Sequence, residues 1–314
     1  MDVFGARPND TLRSLSTKVD DRMRVLMIGG TKFIGPHVAR QFVNQGHEVL
    51  LYHRGQTEAD LPKSIRHLRS PLAAMPVLRF PHELLTESFD AIVHMIPMGA
   101  ADSRAAMEAF RGRASRVVAL SSGDVYRAYG RLTGIEPGPI EAGLLCEDSP
   151  LRSVFYPYRK RAKSAADWVY DYEKIFVERE ILGSRDLPGV ILRLPKVYGP
   201  GNNADLATVY SFRHQPQWRW THGYVENVAN AIVLAAGHPA ASGRIYNVGE
   251  ASTPTVGERL ASLPPSSIPT DECTEFNLTQ DIAYDTSRIR AELGYAEHVS
   301  YKEGLRRTLI QPRS

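Results

Sequence analysis

The sequence predicts an α/β protein built on a doubly wound parallel sheet with a smaller C-terminal lobe. Short apolar runs alternate with helical patterns along the chain, as they do where helices connect parallel strands. The runs around Ile28 and Ile92 are apolar on both faces, which is typical of buried parallel strands. A chain of 314 residues also exceeds what one hydrophobic core usually supports, so a second lobe is expected.

Each predicted element follows from its local pattern. Six apolar runs predict strands at 24–28, 48–52, 90–95, 116–120, 189–193 and 244–248. Between the first two, Ile34, Val38 and Phe42 recur at helical spacing and Gly46 follows, which predicts a helix over 34–46. Further helical patterns predict helices over 164–182, 224–237, 286–293 and 301–309. Segments rich in Gly, Pro, Ser or Thr predict loops at 129–155, 200–223 and 262–280.

Composition narrows the possible classes of protein. With 38 Lys and Arg against 35 Asp and Glu, the net charge of +3 is too balanced for a protein that coats nucleic acid. No apolar run approaches the ~18 residues of a membrane span, and residues 1–22 lack the apolar segment of a secretory signal. We interpret 1–22 as a disordered tail. The two cysteines, Cys146 and Cys273, cannot build a disulfide framework, and the reducing cytoplasm is expected. The sequence contains no His-x-x-x-His pair, so it does not suggest a metal site.

A glycine-rich loop follows the first strand and opens the first helix: Gly29-Gly30-Thr31-Lys32-Phe33-Ile34-Gly35. A bound phosphate needs free backbone N–H groups with a helix N-terminus behind them. Gly29 and Gly30 suit the tight turn and the close approach, and Gly35 suits packing of the helix against the strand. An ordinary strand-to-helix turn is the alternative. Because the loop stands in the context that the motif requires, we expect a dinucleotide here.

The end of the second strand bears on which dinucleotide is bound. An acidic residue there would hold a ribose 2′-hydroxyl and repel a 2′-phosphate. The sequence has Tyr52-His53-Arg54 instead. Arg54 suits a 2′-phosphate, and Lys32 adds a second positive charge. We therefore expect NADP rather than NAD, unless Arg54 is a solvated surface residue.

Hydride transfer at a carbinol needs a base, and a tyrosine can serve if a lysine one helical turn away favours its phenolate. Two segments match Tyr-x-x-x-Lys: Tyr156 with Lys160, and Tyr170 with Lys174. The first contains Pro157 and belongs to a basic run over 159–163. The second lies within the predicted helix 164–182, so we prefer Tyr170 and Lys174.

Several of these motifs together resemble the extended short-chain dehydrogenase/reductase superfamily, in particular the NAD(P)-dependent epimerase/dehydratase family. They are the GGTKFIG loop, SSGDVY at 121–126, YDYEKIFVE at 170–178 and RLPKVYGPGN at 193–202. Lys32 replaces the usual middle glycine of the loop, as in an atypical GGTxFIG branch. The resemblance spans residues 23 to about 310. It implies a Rossmann-type domain over 23–200, rejoined by 222–250, with a substrate lobe formed by 201–221 and 251–314.

The resemblance also implies roles for individual residues. Ser122 would bind the substrate oxygen, Tyr170 would be the base, and Lys174 would lower the tyrosine pKa and hold the ribose. Pro195 and Val197 would lie beside the nicotinamide. The candidate substrate residues are Asp124, Tyr126, Asn202 and Arg219. Relatives that act as dehydratases carry Asp-Glu where this chain has Gly123-Asp124, which argues against dehydration.

These features predict an NAD(P)-dependent epimerase or oxidoreductase that acts on a carbinol or keto centre of a nucleotide-sugar or similar small molecule. The alternative is a catalytically weak dinucleotide sensor, or an RNA-binding scaffold that uses the basic run 159–163. A homodimer is also expected, through a helix side formed by Trp168, Tyr172, Ile175 and Phe176.

Overall fold

The computed structural model describes residues 22–72, 74–200, 204–270 and 275–310. Residues 1–21 of the predicted tail over 1–22 and the candidate substrate residue Asn202 lie outside these ranges. The strands are β1 (Arg24–Ile28), β2 (Glu48–His53), β3 (Arg66–Arg69), β4 (Ala91–His94), β5 (Val117–Ser122), β6 (Gly189–Leu194), β7 (Lys196–Tyr198), β8 (His222–Tyr224) and β9 (Ile245–Asn247). The helices are α1 (Ile34–Asn44), α2 (His82–Leu85), α3 (Ala100–Phe110), α4 (Arg127–Leu132), α5 (Lys174–Leu182), α6 (Ala204–Ser211), α7 (Val225–Gly237), α8 (Val256–Leu260), α9 (Ser287–Leu293) and α10 (Tyr301–Ile310).

The main sheet has seven strands in the order β3-β2-β1-β4-β5-β6-β9, and its strand pairs are parallel. In register, Ile28 at the end of β1 pairs with Tyr52 of β2 on one side and His94 of β4 on the other. The strand order reverses at β1, so a crevice opens at the carboxyl ends of β1 and β4. The predicted doubly wound α/β fold is confirmed.

Helices cover both faces of this sheet because successive strand residues point to opposite sides. Val25 and Met27 pack into a core that includes Val38 and Phe42 of α1 and much of α7. The alternate residues of β1, Leu26 and Ile28, pack into a second core with α3 and α5. The first strand therefore has no solvated face, as its uninterrupted apolar run indicated.

The six predicted strands are present with small shifts at their ends, but other segments differ from the sequence-based expectation. The predicted loop 129–155 begins inside helix α4, and the predicted irregular stretch 200–223 contains α6 and the start of β8. Helix α3 had no predicted counterpart, since buried Asp102 and Ser103 interrupt its apolar stripe. Asp102 turns inward because its carboxylate accepts hydrogen bonds from the backbone N–H groups of Met98 and Gly99, 2.7 and 2.9 Å away.

The prediction of one helix over 164–182 is wrong, because α5 begins only at Lys174. Side-chain oxygens satisfy backbone N–H groups upstream: Asp167 accepts from Lys163 and Val169, which favours turns over helix. Glu173 then caps α5 by accepting from the backbone N–H of Ile175 at 3.0 Å. Tyr170 and Lys174 consequently do not share a helix face.

A smaller lobe has its own core, formed around Leu132 of α4, Val209 of α6, Trp218 and Ile282. Strands β7 and β8 pair parallel beside it. Helices α9 and α10, which were expected in this lobe, instead contribute Ile289 and Leu305 to the main core. Across the described ranges, no helix combines the length and apolar character needed to cross a membrane.

Candidate functional site

The glycine loop forms a close turn between β1 and α1. Gly29 and Gly30 adopt positive φ angles of 81° and 109°, which glycine tolerates best. A Cβ atom on Gly35 would lie 2.2 Å from the backbone of Gly30, so only glycine fits where the first turn of α1 crosses the loop. The loop thus leaves the N-terminus of α1 facing open space, where an anion is stabilised.

A cavity of about 300 Å³ lies over this loop, at the carboxyl ends of six strands of the main sheet. Eight of its lining residues were predicted cofactor contacts: Gly29, Gly30, Thr31, Lys32, Phe33, Ile34, Arg54 and Lys174. Thr57 and Ser70 line it as well, and sequence reasoning missed them. The hydroxyl oxygens of Thr31 and Thr57 lie 2.7 Å apart, which ties the loop to the wall after β2. The residues present fit a dinucleotide, since a glycine cradle, a helix N-terminus and a lysine converge here.

The end of β2 presents nitrogen rather than carboxylate groups to this cavity. His53 Nε2 lies 3.1 Å from His67 Nδ1, and His53 Nδ1 accepts from the backbone N–H of Gly55 at 3.2 Å. Burial lowers the pKa of His53, and the charges of His67 and Arg69 lower it further. Among the described lining residues, none is acidic, whereas Lys32 and Arg54 are both basic.

Lys174 reaches the same cavity from the first position of α5 and is almost fully buried. Its ammonium donates to the backbone carbonyl of Leu120 at 2.9 Å and to that of Pro97. Burial lowers the pKa of Lys174 to about 8, although the charges of Asp124, Asp102 and Glu178 act in the opposite direction. The Lys174 side chain, which is partly deprotonated near pH 8, thus lies next to the end of β5.

Glu178, four residues after Lys174, has a structural role. Its carboxylate accepts from Ser121 Oγ at 2.6 Å and from two nitrogens of Arg193 at 2.9 and 2.7 Å. Both the arginine and the glutamate are buried. These contacts fasten α5 to β5 and β6, so the spacing of Lys174 and Glu178 fixes the lysine relative to the sheet.

A second cavity, of about 360 Å³, adjoins the first and shares Phe33, Ile34, Ser121 and Leu194 with it. Four further predicted site residues line it: Ser122, Asp124, Pro195 and Val197. Trp220 lines it too, as do residues that sequence reasoning missed, namely Tyr129, Tyr158, Lys196 and Tyr284. The Lys196 ammonium lies 4.5 Å from the centre of the Trp220 ring, so this cavity combines positive charge with an aromatic surface.

Gly123 explains why the acid found in dehydratases cannot stand here. A Cβ atom on Gly123 would lie 1.9 Å from the hydroxyl oxygen of Tyr284, which itself donates to the carbonyl of Leu194 at 3.1 Å. The site therefore has no room for a carboxylate side chain at this position.

Three other predicted site residues lie away from both cavities. Tyr170 sits in the turns before α5 with its ring centre 4.5 Å from the guanidinium of Arg159, and it is not among the lining residues. Tyr126 is fully buried and donates its hydroxyl to Asn247 at 2.6 Å, so it belongs to the core rather than to a substrate site. Arg219 is exposed outside both linings.

Buried Asp124 instead gathers two other tyrosines. Its Oδ2 accepts hydrogen bonds from the hydroxyls of Tyr158 and Tyr172, each at 3.0 Å. The hydroxyl oxygens of Tyr158 and Tyr129 are also 3.0 Å apart. Tyr158 lies in the segment of Tyr156 and Lys160, which the sequence disfavoured because of Pro157 and the basic run 159–163. The aromatic residues just before that run were the signal that could have indicated a site tyrosine. The helix side that was expected to form a dimer contact is not present as such. Tyr172 points to Asp124 and Ile175 is buried, so these residues do not share one exposed face.

Comparisons with known proteins agree with this fold. Residues 100–249 match the sequence model of the NAD dependent epimerase/dehydratase family. A search of curated proteins finds no match. In the described part of the chain, no group of three or more His, Cys, Asp or Glu residues is placed to hold a metal ion.

Solved structures with the same fold cover almost the whole chain. Pal from Bacillus thuringiensis has a TM-score of 0.67 at 17% identity, over 91% of this chain and 97% of that one. UDP-glucose 4-epimerase from Thermotoga maritima, solved with UDP-glucose, has a TM-score of 0.65 at 16% identity, with coverage of 91% and 97%. UDP-glucuronic acid 4-epimerase from Bacillus cereus, solved with NAD, has a TM-score of 0.64 at 18% identity and the same coverage of 91% and 97%. Residues 100–249 are thus similar to the NAD dependent epimerase/dehydratase family, and nearly the whole chain shares the fold of these solved structures.

Proposed function

We propose that this protein transfers hydride reversibly between a nicotinamide dinucleotide and a carbinol or keto centre of a small molecule. The observation that carries the proposal is the pair of adjoining cavities. The first has the glycine loop and Lys174, the second has Ser122, and Ser121 and Leu194 form part of the wall common to both. A substrate in the second cavity would thus lie beside the inner end of a dinucleotide in the first.

The dinucleotide is proposed to be NADP in preference to NAD. When bound, it supplies the two-electron acceptor and donor for the hydride. The glycine loop and the N-terminus of α1 would hold its phosphates, and Lys174 would hold the ribose next to the nicotinamide. Arg54 and Lys32 support a 2′-phosphate, since the described lining of this cavity carries no carboxylate that would repel one.

The substrate is proposed to be a nucleotide-sugar or a similar molecule. Two similar structures are named as epimerases of UDP-sugars, and one of them holds UDP-glucose. In the second cavity, Ser122 would donate to the reacting oxygen, and Lys196 beside Trp220 offers a contact for a phosphate or a base. An epimerase would return the hydride to the opposite face of a transient ketone, whereas an oxidoreductase would release the ketone.

The alternative of an RNA-binding scaffold depended on the basic run 159–163. Arg159 of that run is engaged within the chain, since its guanidinium lies 3.6 Å from the centre of the Tyr156 ring and donates to Asp171 at 3.0 Å. These contacts favour the enzyme. The cytoplasmic location and the homodimer remain predictions, and the mass by light scattering at micromolar concentration tests the homodimer.

The proposed function is tested by incubating the full chain with NAD or NADP and with UDP-glucose or UDP-glucuronic acid. Formation of the reduced dinucleotide and of a sugar isomer are both followed, the first by absorbance and the second by chromatography. Lys174→Met keeps the length of the side chain without its charge, and we expect it to lower turnover by about 100-fold or more. A chain that binds dinucleotide but gives neither product with these sugars contradicts the proposal and favours a sensor.

A further inference from the structure

The group that moves the proton during hydride transfer was predicted to be Tyr170, and the structure places another tyrosine at the substrate cavity. Tyr158 lines the cavity that contains Ser122, whereas Tyr170 lines neither cavity. Tyr158 is also hydrogen-bonded to Asp124 at 3.0 Å.

Burying the carboxylate of Asp124 is unfavourable in free energy. Asp124 is 3% exposed, and its Oδ1 has no hydrogen-bond partner among the described residues. A buried carboxylate oxygen without a donor costs free energy, so this side chain is not arranged for stability alone. Its other oxygen, Oδ2, faces Tyr158 and Tyr172. The carboxylate thus has capacity to accept a proton on the side of the substrate cavity.

The hydrogen bonds of the Tyr158 hydroxyl define a route for a proton between the substrate cavity and Asp124. A tyrosine hydroxyl carries one proton, so Tyr158 cannot donate to Asp124 and to Tyr129 together. When its proton points to Asp124, the Tyr158 oxygen is free to accept from the hydroxyl of Tyr129, 3.0 Å away, or from a hydroxyl of a substrate in the same cavity. Substrate, Tyr158 and Asp124 then form a continuous chain of hydrogen bonds.

We propose that Tyr158 is the acid/base residue of this site and that buried Asp124 positions it and takes up its proton. This inference rests on the proposed hydride transfer. In the oxidation direction, the substrate O–H bond breaks and its proton passes to the Tyr158 oxygen, while the former Tyr158 proton passes to Asp124 Oδ2. The carbinol C–H bond breaks with its electron pair, the hydride leaves to the nicotinamide dinucleotide, and a carbonyl remains. Reduction reverses each transfer.

The surroundings of Asp124 are consistent with this exchange. Burial raises the pKa of Asp124, while the charges of Arg152 and Lys174 and the hydroxyls of Tyr158 and Tyr172 favour its ionised form. Further titratable groups nearby are Tyr129, Tyr284 and Arg161, whose guanidinium lies 5.6 Å from the centre of the Tyr158 ring. The pKa of Tyr158 is raised by burial first and by the charge of Asp124 second, so a free phenolate is disfavoured and a coupled transfer through the carboxylate is the easier route.

Four single substitutions test the proposal in the full chain with the dinucleotide and UDP-sugar that the wild type uses. Tyr158→Phe and Asp124→Asn are each expected to lower kcat by about 100-fold or more, with dinucleotide binding kept in a thermal-shift assay. Tyr156→Phe is the matched control from the same segment, and its kcat should stay within about threefold. Tyr170→Phe removes the sequence-predicted base. A large loss in Tyr170→Phe with a wild-type rate in Tyr158→Phe would overturn the proposal.

The pH profile distinguishes Asp124 from a residue that only maintains the fold. In the oxidation direction, the wild-type rate should fall on the acid side as Asp124 becomes protonated, at a pH above the usual carboxyl range. The residual rate of Asp124→Asn should lack this acid limb. An unchanged limb in that variant argues against the proposal.

A measurement without turnover separates this inference from the proposed function. With ¹³Cζ-labelled tyrosine, the Tyr158 resonance is assigned by its loss in Tyr158→Phe. Removing the Asp124 charge in Asp124→Asn should lower the pKa of Tyr158, and an unaltered titration would contradict the coupling. A wild-type chain that turns over none of the sugars overturns the proposed function and this inference together, whereas an active Tyr158→Phe variant overturns only the inference.

Discussion

The guanidinium of Arg152 and the carboxylate of Glu173 form a fully buried ion pair, with Nη2 and Oε1 2.9 Å apart. Glu173 also accepts from the backbone N–H groups of Tyr156 at 2.6 Å and Ile175 at 3.0 Å. The pair therefore connects the segment that carries Tyr158 to the start of α5. Because Lys174 is the first residue of that helix, the same contacts set the position of the lysine in the first cavity.

Breaking this pair should destabilise the fold strongly. Glu173→Gln removes the carboxylate that pairs with the buried Arg152 guanidinium, and breaking a buried ion pair typically costs about 3–5 kcal/mol. Glu180→Gln is the control, because its ion pair with Arg104 is partly exposed and should contribute less than about 1 kcal/mol. Urea unfolding measures both variants. Equal losses in the two would show that the buried pair does not have the role described here.

The glycine loop should tolerate no side chain at Gly35. Gly35→Ala places a Cβ atom 2.2 Å from the Gly30 backbone, so the loop must shift and dinucleotide binding should be lost. Gly237→Ala is the matched control in a helix, where the nearest atom, in Met23, is 3.5 Å away and no clash occurs. Thermal shift with NAD and NADP reports binding. Retention of the full shift by Gly35→Ala would argue against the first cavity as the dinucleotide site.

Arg54 should distinguish the two dinucleotides. Hydrogen bonds to charged groups contribute about 1.5–3 kcal/mol, so Arg54→Ala should weaken NADP by about 10- to 100-fold and NAD by less than about threefold. Arg66→Ala is the control. It removes an arginine of the edge strand β3 that forms an ion pair with Glu87. Calorimetric titration of the wild type and both variants with each dinucleotide gives the six Kd values. A parallel loss for both dinucleotides would mean that Arg54 does not contact a 2′-phosphate.

Acid should destabilise the protein through His94. This histidine on β4 is fully buried, and burial, with a smaller effect of the Lys174 charge, lowers its pKa from 6.5 to about 3. Between these two values the unfolded chain binds one more proton than the folded chain. The contribution of His94 to the free energy of unfolding is therefore complete above pH 6.5 and declines below it, by about 1.4 kcal/mol for each pH unit.

His94→Leu removes this titration because it replaces the imidazole with an apolar side chain of similar size. Urea unfolding between about pH 7 and about pH 4 should show a shallower acid decline in His94→Leu than in the wild type. His82→Leu, at an exposed position of α2, should retain the wild-type slope. Identical slopes in all three proteins would show that His94 is not the group responsible.

Local patterns were sufficient to predict six of the seven strands of the main sheet and the turn of the glycine loop. A parallel strand buried on both faces needs an uninterrupted apolar run, as in β1 and β4, and a phosphate-binding turn needs its glycines at fixed places. These requirements act within a few residues, so the sequence shows them directly. The first cavity contains most of the residues predicted to hold the cofactor for the same reason.

The tyrosine of the site could not be predicted this way because long-range contacts decide it. The start of α5 depends on Arg152, which is 21 residues before Glu173, and the place of Tyr158 depends on Asp124, 34 residues before it. Neither contact leaves a periodic signal. The helical spacing of Tyr170 and Lys174 was a real pattern, but turns formed by Ser164 and Asp167 prevail over it.

A single-turnover measurement with the wild-type chain in excess over NAD or NADP tests most directly whether the two adjoining cavities form one hydride-transfer site. After UDP-glucose or UDP-glucuronic acid is added, we expect the bound dinucleotide to be reduced, transiently with formation of a sugar isomer or lastingly with release of a ketone. Gly35→Ala should show neither product. A wild-type chain that binds the dinucleotide and both sugars, yet leaves them unchanged, would contradict such a site.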